Sequence, residues 1–304
     1  HACVPAIADE VAPAMLGKIL STLFSDEGCD AVRLGSLAGG GRLAGLAQSA
    51  ADFRLCDGRI IEDRSVGAQA VLELPRTFDE YLASLSKNMR STIRKGVRRL
   101  EAEHDLRENL VANPIDAIGA YHRFVELHRE QWTGEGRRGH FDDWPGSEMF
   151  NRALVASLSQ HRRVWMHELI ADEQSIARQY AFVHGRSAHC RLAARDPHER
   201  CRRPSVRTAN LPPLTRRFIE AGVREVDLGT GRYEYKERLG ATCRSVRSLL
   251  IARDQPATVR RARRFNAAAR GFDWLYYRQW YCRVRPRLRL RGAPLRWSWI
   301  RSRP

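Results

Sequence analysis

DLGTGRYEYKERLG, residues Asp227 to Gly240, closes the short apolar stretch Val223–Leu228 and opens a turn rich in glycine. A strand that stops at an Asp followed by Gly229 and Gly231 predicts a tight turn. The carboxylate there accepts backbone N–H bonds, and the glycines supply conformations that other residues resist. Tyr235 and Lys236 follow directly beyond the strand end. A tyrosine there suits a general acid, and a lysine suits an oxyanion or a phosphate. The plain alternatives are a core tyrosine and a surface lysine after a turn.

Upstream, the helix before this strand ends at Ala221-Gly222, a natural helix stop. An Arg- and Pro-rich connection, Arg195–Pro213, separates it from three strand segments, Arg163–Ile170, Ser175–His184 and Ser187–Ala194. Asp172-Glu173 and Gly185-Arg186 read as hairpin tips. Before them, Ile115–Trp132 and Pro145–Gln160 have helical spacing, divided by the loop Thr133–Asp143. Further back, Phe78, Tyr81, Leu82, Leu85, Met89, Ile93, Val97 and Leu100 draw one apolar stripe, which predicts a continuous helix from Thr77 to about His104. Thr77 and Glu80 form a capping-box start. Its other side carries Lys87, Arg90, Arg94, Lys95, Arg98 and Arg99, with no acid between Glu80 and Glu101. Such a face is either solvated or meets a phosphorylated ligand. The N-terminal part holds a helix around Met15–Phe24, a strand Ala31–Leu37 and strand-rich Arg59–Leu74. Arg244–Ala252 is a strand downstream. Gly39-Gly40-Gly41 lacks the Lys-Ser/Thr ending of a phosphate-binding loop and reads as a flexible turn. This order is not a strict alternation of strand and helix. It predicts an α+β fold with a mixed, mostly antiparallel sheet.

The net charge of +17 over 304 residues is unevenly placed. Ile251–Pro304 holds fifteen arginines, no lysine and two acids, giving +13 there and +4 for the rest. The basicity is therefore a property of the tail. Seven cysteines without a CxxC pair argue against both a disulfide framework and a zinc site. No apolar run approaches the roughly 20 residues that span a bilayer. The expected location is the cytoplasm or the inner face of the membrane. His1 as first residue reads as a fragment boundary or a processing site.

Two stretches carry a resemblance. LELPRTFDEYLASLSKNMRSTIRKGVRRLE, Leu72–Glu101, and GVREVDLGTGRYEYKERLG, Gly222–Gly240, resemble the CelD/BcsL-like acetyltransferases of exopolysaccharide and cellulose biosynthesis. Those belong to the GNAT (acyl-CoA N-acyltransferase) superfamily and are related to the Fem-type aminoacyltransferases. QSIARQYAFVHG between them is similar to the family's paired central strands. The resemblance implies tandem GNAT-like halves with the first incomplete. Residues 1–76 would be its remnant, 77–113 a basic connecting helix, 114–255 the acyltransferase domain and 256–304 an Arg- and aromatic-rich tail. It also implies acetyl-CoA as acyl donor, with no metal, and an amine or hydroxyl of a sugar or envelope precursor as acceptor.

By that resemblance Lys236 and Tyr235 are the catalytic candidates. Arg203, Ser205, Val206, Arg207 and Thr208 would bind the donor at a helix N-terminus. Relatives have Gly where this chain has Ser205, which narrows the approach of backbone N–H groups to a pyrophosphate. Arg178, Gln179, Tyr180, Arg90 and Arg94 are the substrate-side candidates, with His128, Glu130 and Trp132 behind them. His140 with Asp142 and Asp143 is too sparse for a metal site. Two other functions stay open: a Fem-like transferase using aminoacyl-tRNA, and a degraded GNAT domain serving as a scaffold. The tail interleaves Arg with Trp274, Tyr276, Tyr277, Trp280 and Tyr281. That pattern suits an anionic membrane surface or RNA, or a helix packed with a solvated basic side.

Overall fold

The computed structural model describes residues 11–38, 45, 57–134, 139–142, 146–197 and 204–288. In chain order the elements begin with α1 (Ala12–Ser25), β1 (Ala31–Ala38), β2 (Gly58–Glu73), α2 (Phe78–Ser84), α3 (Lys87–Glu103) and β3 (Leu106–Val111). There follow α4 (Pro114–Gly134), a 3-10 turn (His140–Asp142), α5 (Ser147–Ser159), β4 (Val164–Ala171), β5 (Gln174–His184) and β6 (Ser187–Arg195). The last are α6 (Pro204–Glu220), β7 (Glu225–Thr230), α7 (Glu234–Arg238), β8 (Thr242–Arg253), α8 (Pro256–Phe272), a π-helix (Asp273–Val284) and the turn α9 (Arg285–Arg287). The fold is α+β, as the sequence predicts. Gly39-Gly40-Gly41, Asp143 and Arg203 lie outside the described residues. Among the described residues no helix is long and apolar enough to cross a membrane.

The chain divides into two compact units. One runs from Gln69 to Cys243, and the other joins the described residues up to Ala68 to those from Arg244. In the Gln69–Cys243 unit the strand order is the end of β2, then β7, β6, β5, β4 and β3. Its pairs are antiparallel except β6 with β7. The β4–β5 turn puts Asp172 and Glu173 at φ 51° and 65°, the left-handed pair that a two-residue hairpin needs. Alternation sorts the side chains. Val111, Val164, Met166 and Tyr180 meet Tyr121, Phe124 and Val125 of α4 on one face. Ala181, Ala188, Cys190 and Val226 meet Tyr81 of α2, Ile93 of α3 and Leu214 and Phe218 of α6 on the other.

The helix predicted over residues 77–104 is two helices. Leu85 and Ser86 are extended, with ψ near 156° and 150°, and Ser86 Oγ accepts the Met89 N–H to start α3. The apolar stripe is unbroken because both helices pack on the same face of the sheet. The Thr77–Glu80 capping box is present at α2. The connection expected to last until Pro213 ends at Pro204, where α6 begins, and Pro212 and Pro213 lie inside that helix. In the other unit, β8 lies between β1 and β2. α1 contributes Leu20 and Phe24 against Ile251, while α8 contributes Val259 and Ala262 against Ala252.

Candidate functional site

The sheet opens where β6 and β7 part. Their parallel pairing consists of Ser187 with Glu225, Ala188 with Val226 and His189 with Asp227. Beyond these pairs β6 continues along β5 to Arg195, while β7 keeps its pairing with β2, on its other edge, as far as Gln69 with Thr230. Backbone donors and acceptors that a full ladder would consume therefore line a wedge inside the sheet.

A hydrogen-bonded couple sits at the apex. His189 Nδ1 lies 2.6 Å from Asp227 Oδ2, and Asp227 Oδ1 accepts the Gly229 N–H at 2.7 Å. The carboxylate thus organises the turn, as its position in the sequence predicts, and also holds an imidazole. With Nδ1 donating to Asp227, Nε2 carries the lone pair, the tautomer a general base requires. His189 was not among the residues expected here. Its signal is faint: one His whose odd position on β6 sets it on the face opposite Cys190.

The turn below is pinned by Lys236. Gly229 and Gly231 have φ of 80° and 97°, and a Cβ on Gly231 would lie 2.4 Å from the Tyr233 ring. Lys236, in α7, is only 4% exposed, and its Nζ donates to the carbonyls of Gly229 and Thr230, each at 3.1 Å. The ring of Tyr233 lies 5.1 Å from the same ammonium. Burial pulls the Lys236 pKa below the ordinary lysine value, and the nearby Asp227 opposes that pull. The surface lysine that a turn would allow is thus a buried one, bonded to the loop it follows. Tyr235, one residue earlier, is 45% exposed, with its ring 6.0 Å from that of Tyr233. On the other face Cys190 is buried, and burial pushes its thiol up to about 12, so it stays protonated at neutral pH.

Residues 87–237 match the family model described as an acetyltransferase (GNAT) domain. The fold of this stretch is the GNAT fold. Solved structures agree on the fold. FemX superposes with a TM-score of 0.58 at 9% identity, over 81% of this chain and 82% of its own. The C-terminal domain of a putative lysylphosphatidylglycerol synthetase from Agrobacterium fabrum gives 0.54 at 11%, over 83% and 76%. L-PGS from Bacillus licheniformis gives 0.54 at 13%, over 82% and 76%. No curated protein matches the sequence.

Within this stretch the other expected residues are scattered. Of Ser205, Val206, Arg207 and Thr208 only the backbone is described, as the first turns of α6. Tyr180, expected to line an acceptor cleft, belongs to the core instead: it is fully buried, its ring 4.9 Å from that of Phe124, its hydroxyl donating to Asn151 Oδ1. The reason is alternation, which turns Tyr180 toward α4. Gln179 is buried on the opposite face. Arg178 is tied to Glu168 and donates from Nε to Ser175 Oγ at 2.8 Å. With Asn109, Arg123 and Phe124 it lines a shallow surface depression. Arg90 caps the end of α2, donating to the carbonyls of Ala83 at 2.8 Å and Leu85 at 2.5 Å. Arg94 is exposed on α3. His128 is buried beside Phe141, its Nε2 3.2 Å from Nδ1 of the half-buried His140. Among the described residues no group of three or more His, Cys, Asp or Glu is placed to hold a metal.

Proposed function

We propose that the GNAT domain transfers an acyl group, acetyl in the first instance, from a coenzyme A thioester at the β6–β7 wedge to an acceptor amine or hydroxyl. The observation that carries this reading is the His189–Asp227 couple at the apex of a parallel pair that stops after three residues. In this reading Asp227 holds the imidazole, and His189 takes the proton as the acceptor attacks the thioester carbonyl. Backbone N–H groups of the parted strands hold the oxyanion. As the carbon–sulfur bond breaks, the thiolate leaves and is protonated, with Tyr235 the assigned acid. Lys236 acts as a positioning residue through the Gly229–Thr230 turn. The resemblance to CelD/BcsL-like enzymes supports a sugar or envelope precursor as acceptor.

Titration of acetyl-CoA into the intact chain tests the donor site without knowledge of the acceptor, and thiol release in the presence of a panel of amino sugars and amines tests the transfer. One-to-one binding is expected. Turnover in His189→Ala should fall by roughly 10²–10⁴, the share usually supplied by a general base, with binding kept. Absence of heat with every acyl-CoA tried would overturn the reading. A second reading, a Fem-like transfer from aminoacyl-tRNA, draws support from the exposed Lys87, Arg94, Lys95, Arg98 and Arg99 on α3. Steeply salt-dependent tRNA binding without acyl-CoA binding would select it.

A further inference from the structure

The C-terminal helix brings exposed apolar surface and positive charge together on its outer side. Its inner side is settled. α8 buries Val259, Ala262, Asn266 and Ala269, and Asn266 is held by Glu62 at 2.7 Å and by Arg33 at 2.5 Å. After Phe272 the helix widens into a π-helix. A helix closed by i→i+5 bonds brings residues four apart almost into line. Phe272, Tyr276, Trp280, Val284 and Leu288 are spaced by four and continue a line that begins at Phe265. Phe265 is 70% exposed and Leu288 56%, with Phe272, Trp280 and Val284 near 40%. Phe272 and Tyr276 stack at 5.1 Å, which makes the stripe continuous there.

The charge beside this stripe has one sign. Pro256–Leu288 contains nine arginines and a single acid, Asp273. That acid is buried and accepts from Arg278 Nε at 3.2 Å. Arg260, Arg263, Arg264, Arg283 and Arg287 are exposed.

We propose that this face lies on an anionic lipid surface. The stripe enters the boundary between headgroups and acyl chains, and the arginines meet the lipid phosphates. Lipid is favoured over RNA by the aliphatic members, Val284 and Leu288, and by Leu275, which is 61% exposed. None has a ring on which a base can stack, whereas each gains by burial among acyl chains.

Sedimentation of the full chain with phosphatidylglycerol–phosphatidylcholine vesicles tests this. Binding is expected to these vesicles, and to be at least about tenfold weaker to phosphatidylcholine alone, since each basic residue near an anionic surface adds about a factor of five. The double variant Phe265→Ser, Leu288→Ser should lose about tenfold in binding, and Arg263→Glu with Arg264→Glu should lose more. All four side chains are exposed, so the variants should melt as the parent does. As a check that needs no variant, vesicles should shift the tryptophan emission of the parent chain to the blue. Binding indifferent to lipid charge, or unchanged in the serine variant, would overturn the proposal. So would binding of tRNA in place of vesicles, which assigns the face to nucleic acid. None of these outcomes bears on the β6–β7 wedge, whose test is acyl-CoA binding.

Discussion

Removing an ammonium from water costs several kcal/mol unless acceptors replace the lost hydration, and Lys236 is placed where two carbonyls do so. Lys236→Met should lower stability at neutral pH by about 1–3 kcal/mol, because both acceptors lose their donor. Its pH dependence has a definite sign. The folded state holds the Lys236 pKa below 10.5, so between the two values the unfolded chain binds more protons and stability rises with pH. The wild-type advantage over Lys236→Met should therefore grow from pH 7.5 to pH 10 in denaturant titrations. A constant gap would show that the folded pKa is not lowered. Cys190 gives a second test. A buried, protonated thiol should escape maleimide at pH 7.5 while Cys243, partly exposed, reacts; peptide mapping before and after denaturation distinguishes them. The sequence signals Asp227 and Gly229 through the pattern of a strand ending in a turn, and Lys236 through the family resemblance. It does not tell a buried lysine from a surface one, since that depends on the carbonyls the turn presents. His189 is hidden for the same reason: its partner is 38 residues away.

Elements marked by a local pattern are legible in the sequence, and those defined by a neighbour are not. β4, β5 and β6 are marked by their hairpin tips, Asp172-Glu173 and Gly185-Arg186, and the capping box at Thr77 is written in four residues. β3, LRENLV, has no apolar alternation because it is an edge strand paired with β4 alone, and the sequence reading passes over it. The break between α2 and α3 is masked by the shared stripe, with Ser86 its one sign. Ser86→Ala should cost about 1 kcal/mol by removing the N-cap of α3, and Thr77→Ala a similar amount at α2. Chemical denaturation of the two single variants checks this. Loss from Thr77→Ala alone would mean that α3 needs no cap. The start of α6 is obscured by Pro212 and Pro213, which forfeit helix hydrogen bonds yet sit in a helix held by Leu211, Leu214 and Phe218 in the core.

For the whole molecule, the Gln69–Cys243 unit carries its own cores on both faces of its strands. A fragment of residues 69–243 should therefore fold alone and melt cooperatively, as circular dichroism would show. A fragment that stays unfolded would mean that the two units are one thermodynamic body. At this scale the sequence reveals the fold class and the concentration of charge in the tail, because both are compositional. It does not reveal where the units divide, because the chain passes between them within β2 and at the start of β8. The early end of the β6–β7 ladder has a practical consequence. Amides that face the wedge lack the slow exchange that a neighbouring strand confers, so deuterium uptake around Arg191–Ala193 and Leu228 becomes a clock for occupancy. An extended ligand entering there would stand in for a missing strand and slow that clock, even when its chemistry is unknown and nothing is turned over.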